Sequence, residues 1–240
     1  VIKYIRFDQQ FDAARLQQEL TQLEAAQWYD HYNRQGYEGS WSTLQLRAPH
    51  GRPDNNVAAF AGTSAPSLTY QDTPLLAQCP YIREVLDFFR IEKTSVRLMK
   101  LEAGAVIKPH HDHDLNFEQG EVRLHVPVTT NPQLKFYLEQ ERLVMQEGSC
   151  WYLNLARQHS VRNDGPTDRV HLVIDGLVND WLRQYIHDPR HHTVTMPDPS
   201  PNARFSPADQ LRMIDQLRQL GTATADKLAD EMQAALPPAI

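Results

Sequence analysis

Between Thr94 and Asp175 the chain runs as a series of short segments in which apolar and polar residues alternate, each broken by turn-forming residues. The segments are Ser95–Leu101, Val106–Pro109, Glu121–Val128 and Leu134–Leu138, followed by Arg142–Gln146, Ser149–Leu155, His159–Asn163 and Asp168–Asp175. A period of two is the signature of a strand, and strands this short and this closely spaced form a barrel or a sandwich. The fold class is therefore expected to be mainly β. The alternation also assigns faces. Val122, Leu124, Val126 and Val128 share one side of their strand, which places Arg123 and His125 on the other. Val170, Leu172 and Ile174 do the same for theirs, leaving Arg169, His171, Val173 and Asp175 opposite. Basic and imidazole groups facing the same way on several strands predict a polar cavity within an otherwise apolar barrel.

The flanks read differently. Val1–Phe7 alternates as a strand, and Asp12–Ala26 spaces Leu16, Leu20 and Leu23 as an amphipathic helix. An aromatic stretch from Trp28 to Trp41 leads into a strand at Thr43–Arg47. Its aromatics are read as core packing, with His31, Asn33 and Trp41 as candidates for a pocket rim. Residues 48–80, rich in Pro, Gly, Ser, Thr and Asn, are expected to be mostly loop, and a loop this long is often a lid. Tyr81–Arg90 restores helical spacing through Ile82, Val85, Leu86 and Phe89. Beyond Val178 the pattern is helical again: Ser206-Pro207 is an N-cap followed by proline at the first helical position, and Thr224–Leu236 forms a last helix after the Pro-rich linker 196–207. The expected organisation is a β domain over 1–181 with N-terminal helical support and a helical extension over 182–240.

Composition narrows the function classes. Hydrophobic content of 41% with 22% charged residues is ordinary for a globular chain, so disorder is not expected. The net charge of −6 argues against a nucleic-acid partner, which demands a basic surface. No run approaches the roughly 18 apolar residues of a membrane span. Two cysteines, Cys79 and Cys150, are too few for a disulfide scaffold and suit a reducing compartment, so a cytoplasmic location is expected.

The chemistry concentrates in Lys108-Pro109-His110-His111-Asp112-His113-Asp114. On an extended segment His110 and Asp112 project to one side and can share a metal ion, with His159 as the candidate third ligand. Two histidines and one carboxylate on one face of a metal is the arrangement of non-haem Fe(II) oxygenases. An oxygenase that reduces O2 by four electrons needs a second electron source, commonly 2-oxoglutarate, whose distal carboxylate requires a buried bidentate cation. Arg169, on the cavity face of the strand after His159, suits that role better than a lysine would. His111 is expected to point away from the metal, and His113 and Asp114 to lie in a loop at the cavity mouth. His191 and His192 are expected on a solvated surface.

The sequence from Lys108–Asp114 through Glu121–Val128, Phe136-Tyr137-Leu138, Gly148–Tyr152 and Arg157–Val161 to Asp168–Asp175 resembles the aspartyl/asparaginyl beta-hydroxylase family, which includes bacterial proline hydroxylases. The resemblance covers roughly Trp28 to Trp181. It implies a double-stranded β-helix, or cupin-like jelly roll. It also implies an Fe(II)- and 2-oxoglutarate-dependent hydroxylase in which His110, Asp112 and His159 hold iron and Arg169 holds the cosubstrate's C5 carboxylate. Arg123 and His125 match the family's Arg-x-His strand, which contributes to binding cosubstrate or substrate carboxylates, and Arg97 is a candidate for a substrate carboxylate. Vertebrate-type aspartyl hydroxylases have glycine where this chain has Asp112, so the chain looks more like the amino-acid hydroxylase branch. The intact carboxylate also argues against a halogenase. The substrate implied is a small amino-acid-like molecule or a short peptide. The competing readings are a cupin-like metalloenzyme that does not use 2-oxoglutarate and a non-catalytic ligand-binding jelly roll.

Overall fold

The structure, a computed structural model, describes residues 1–55, 69–112, 115–197, 207–219 and 223–234. It begins with β1 (Ile2–Gln10), α1 (Ala13–Gln22), β2 (Tyr29–Asp30), β3 (Tyr37–Glu38) and β4 (Trp41–Pro49). Then come β5 (Tyr70–Asp72), α2 (Pro80–Phe88), β6 (Lys93–Leu101) and β7 (Val106–His110). The strands β8 (Glu121–Thr129), β9 (Leu134–Leu138), β10 (Glu141–Leu143), β11 (Ser149–Leu153), β12 (His159–Asn163) and β13 (Arg169–Leu177) follow. The described elements end with α3 (Asp180–Tyr185), β14 (His192–Thr195), α4 (Pro207–Gln219) and α5 (Ala223–Ala234). Two compact units result, residues 2–195 and residues 196–240 with Val1.

The larger unit is a double-stranded β-helix of two antiparallel sheets. One has nine strands in the order β14-β1-β11-β8-β13-β6-β4-β2, with β5 added to β4, and the other has five in the order β10-β9-β12-β7-β3. The large sheet is apolar on both sides. Val96, Leu98, Val122, Leu124, Leu172 and Ile174 pack with Leu16 of α1 and with Ile82, Val85 and Leu86 of α2, forming a core beneath the helices. The opposite side contributes Met99, Leu101, Trp151, Leu153 and Val173 to a second core that meets Ile107, Phe136, Leu138 and Val161 of the small sheet. The predicted alternation is thus the division between these two cores, and Arg97, Arg123, His125, Arg169, His171 and Asp175 are the buried polar residues on the inter-sheet side.

All eight strands expected between residues 94 and 175 are present, with ends displaced by up to three residues. The stretch 48–80 differs from the loop expected of it. β4 extends to Pro49 and pairs with β5, and Leu76–Gln78 forms a helical turn, while residues 56–68, the centre of the suggested lid, lie outside the described residues. His113, Asp114 and most of the Pro-rich linker, residues 198–206, also lie outside them. His191 is not on a solvated surface. Its ring packs edge-on against Phe7 and Tyr185, with centroids 5.0 and 4.6 Å away, and its Nδ1 accepts the Asp8 amide at 3.1 Å. The pairing of β14 with β1 carries it there, whereas His192 remains exposed. Among the described residues no helix is long and apolar enough to cross a membrane.

Candidate metal centre and cavity

Strands β12 and β7 pair so that His159 lies directly opposite His110. Their rings approach to 4.1 Å between centroids. Each imidazole is oriented the same way: Nδ1 of His110 donates to the Lys108 carbonyl at 2.8 Å, and Nδ1 of His159 to the Arg157 carbonyl at 3.0 Å. A carbonyl only accepts, so both Nδ1 atoms carry the proton and both Nε2 atoms keep a free lone pair. Just past the end of β7, the Asp112 amide donates to the Leu155 carbonyl at 2.9 Å. This brings Asp112 Oδ1 to 3.7 Å from His110 Nε2. Ligand-capable atoms of His110, Asp112 and His159 all lie within 4.8 Å of one another. Burial pushes His159 down to about 4, so it is neutral, the form that binds metal. Two imidazoles whose Nδ1 atoms are tied to carbonyls and one carboxylate fit a divalent transition metal.

The three residues border a cavity of about 350 Å³ between the sheets, within the size range of small-molecule sites. Every candidate from the sequence reaches this one cavity: His31, Asn33 and Trp41 from the N-terminal stretch, Arg97 from β6, Arg123 and His125 from β8, and Arg169 from β13. The wall is completed by residues that the sequence did not single out, notably Tyr32, Met99, Ile107, Phe136, Leu155 and Val161. Their signal was the same alternation that placed the polar residues, since Met99 shares a face with Arg97 and Phe136 lies on the inward side of β9. His31 stacks on Trp41 at 3.6 Å with an 11° tilt, and Tyr32 packs against His31 at 4.5 Å with its ring tilted by 33°. Burial first, then the nearby Arg97 and Arg123, drive the His31 imidazole down to about 3. His111 also borders the cavity, with its Nδ1 donating to the Ala156 carbonyl at 3.1 Å.

The three arginines differ in their surroundings. Arg123 gives Nε and Nη2 to Asp175 at 2.6 and 2.9 Å and Nη1 to Asp112 Oδ2. Burial disfavours its charge, but Asp175 and Asp112 overcome that and hold it above its ordinary value. Arg97 gives Nη2 to Asp175 Oδ2 at 2.5 Å, and its Nε has no partner. Arg169 is 3% exposed and has no hydrogen-bond or ion-pair partner among the described residues. Burial alone pulls its guanidinium down to about 9. Beside it His125 and His171 share an Nδ1···Nδ1 hydrogen bond of 3.4 Å, and both Nε2 atoms are unpartnered. Burial holds both imidazoles far below their ordinary value, so both are neutral. An uncompensated buried cation is costly, and it marks where an anion is expected.

The sequence model of the aspartyl/asparaginyl beta-hydroxylases matches residues 10–178. The chain belongs to the aspartyl/asparaginyl beta-hydroxylase family. Within what this family member resembles, an L-proline cis-4-hydroxylase of Rhizobium meliloti (strain 1021) is 30% identical over 167 residues, covering 69% of this chain and 57% of the relative. An L-proline cis-3-hydroxylase of a Streptomyces species is 26% identical over 203 residues, covering 81% and 67% respectively. The chain thus spans little more than half the length of the first of these relatives. Among solved structures, a Pseudomonas putida prolyl-4-hydroxylase superposes with a TM-score of 0.46 at 11% identity, over 75% of this chain and 94% of that one.

Proposed function

We propose that this chain is an Fe(II)- and 2-oxoglutarate-dependent dioxygenase. It hydroxylates an unactivated C–H of an amino acid, an amino-acid derivative or an Asp/Asn-type peptidyl residue, consuming O2 and releasing succinate and CO2. The observation that carries this reading is the coexistence, in one cavity, of a two-histidine, one-carboxylate cluster and a buried arginine without a counter-ion. His110, Asp112 and His159 hold the metal through Nε2, a carboxylate oxygen and Nε2. Bound together, the metal and 2-oxoglutarate supply the oxidising chemistry that no side chain of the chain can.

The chain's own residues do the rest. Arg169 receives the distal carboxylate of 2-oxoglutarate, which neutralises a buried cation that has no counter-ion among the described residues. His125, neutral and with Nε2 unpartnered in the same wall, offers a further hydrogen-bonding group, and Arg123 adds positive charge from its place against Asp112. Met99, Ile107, Phe136, Leu155 and Val161 keep the walls apolar and so exclude water from the reacting centre. The free Nε of Arg97 suits a substrate carboxylate, and the Trp41–His31 stack with Tyr32 tilted against it gives the substrate's hydrocarbon part an aromatic surface. With a cavity of about 350 Å³, a small amino-acid-like substrate is favoured over a folded protein, and the names of the two proline hydroxylases it resembles support that size.

Anaerobic titration of the apo-protein with Fe(II) and then 2-oxoglutarate tests the reading. The expected result is a visible metal-to-ligand charge-transfer band that appears only when both are present. Its absence would remove the 2-oxoglutarate assignment. Succinate release across a panel of amino acids and short peptides then identifies the substrate.

A further inference from the structure

Asp175 has no place on the cavity wall, yet it is the most heavily engaged carboxylate in the interior. It sits on β13 between the two strands that carry Arg123 and Arg97. Register places it directly opposite Arg123 on β8, and Arg97 on β6 pairs with Val173, two residues away on the same face. Its Oδ1 accepts Arg123 Nε at 2.6 Å, and its Oδ2 accepts both Arg123 Nη2 at 2.9 Å and Arg97 Nη2 at 2.5 Å.

A guanidinium is rigid and planar, so fixing two of its nitrogens on a carboxylate fixes the direction of the third. The third here is Arg123 Nη1, which holds Asp112 Oδ2. Asp112 Oδ1 is left on the side of His110 Nε2, 3.7 Å away. We propose that Asp175 is a positioning residue for the metal centre: through Arg123 it ties down one oxygen of Asp112, so that the metal receives only the other. This rests on the metal-binding role proposed above for His110, Asp112 and His159. Its chemical consequence is in how much of the metal Asp112 would occupy. A carboxylate that gives one oxygen would leave more of a bound metal's positions open to a cosubstrate than one that gives both. Arg97 contributes by loading Oδ2 of Asp175 from the far side, which keeps that carboxylate from rotating away from Arg123.

The test uses Co(II) as the probe on apo-protein, read by calorimetric affinity and by the d–d absorption, whose intensity follows coordination number. Asp175→Asn is expected to weaken Co(II) binding by about 10- to 100-fold, the range for removing a partner of a metal ligand, and to alter the d–d spectrum. Arg123→Met is expected to do the same, and the double variant to lose no more than either alone, because both act along one path. Wild-type affinity and spectrum in Asp175→Asn, or losses that multiply in the double variant, would overturn the proposal. Should Asp175→Asn fail to fold because two arginines share too little negative charge, Asp175→Asn/Arg97→Met removes one charge of each sign. It is expected to show the same loss of affinity, and wild-type binding there overturns the proposal equally. Failure of the wild-type protein to bind Co(II) would instead remove the metal-site assignment beneath it.

Discussion

Arg169 is the residue at which stability and function are set against each other. Its charge is buried without compensation in the ligand-free protein, so Arg169→Met is expected to raise stability by about 1–4 kcal/mol, the range for replacing poorly compensated buried charge by packed hydrocarbon. The same change should weaken 2-oxoglutarate binding far more than metal binding, measured by titrating each separately, and an equal loss of both would contradict the role assigned to it. The pH dependence has a definite sign. The folded-state value lies below the ordinary arginine value, so the penalty is present in full at neutral pH and declines as pH rises through about 9. Urea midpoints of wild type and variant should therefore converge above that pH. At the proposed metal centre, His159→Ala is expected to abolish high-affinity binding of Co(II), because it removes one of the three proposed ligands.

At the scale of elements, the two helices that cover the large sheet are joined by an exposed ion pair, Arg15 with Glu84, and by one buried carboxylate. Glu19 of α1 is 5% exposed and accepts the amides of Tyr81 and Ile82 at 2.6 and 2.8 Å, satisfying two of the unpaired N–H groups at the start of α2. Glu19→Ala is expected to cost about 1–3 kcal/mol, since it leaves buried donors without an acceptor, and thermal unfolding should show the loss with no change in metal affinity. Nothing in the sequence around Glu19 announced this partnership, because its acceptor role depends on residues more than sixty positions away. The long strands were legible for the opposite reason. Each is buried on both faces by different partners, so the apolar face of β8 or β13 and its polar inward face are both written locally as alternation. β2, β3 and β5, at two or three residues each, are too short to alternate, and β14 carries only one half-buried apolar residue. The ten candidate site residues could be named because metal ligands and buried arginines are unusual residue types in such strands. The Asp175–Arg123–Asp112 chain could not be read in the same way, because it needs the register between β13 and β8, which no local pattern encodes.

For the molecule as a whole, ligand binding should be felt as added stability. Saturating metal and 2-oxoglutarate at about 100 times their dissociation constants each add about 2.7 kcal/mol if they bind only the folded state, seen as a rise in Tm. The two cysteines give an independent reading of global opening. Cys79 and Cys150 are both fully buried, and burial pushes the Cys79 thiol up to about 12 and the Cys150 thiol further still. Thiol reagents should leave the native protein unmodified and label both residues once it is unfolded, as mass spectrometry would show. The placement of β1 bears on how such an opened chain closes again. β1 lies between β11 and β14, matching Tyr4 with Leu153 and Ile5 with Thr193, and among the described residues it alone links β14 to the sheet. Its partners are the best part of the chain away in sequence, so no hairpin can nucleate that edge. Refolding must gather distant segments before this edge returns any energy, which places the protein among slow folders of high contact order, with closure on roughly the millisecond-to-second scale.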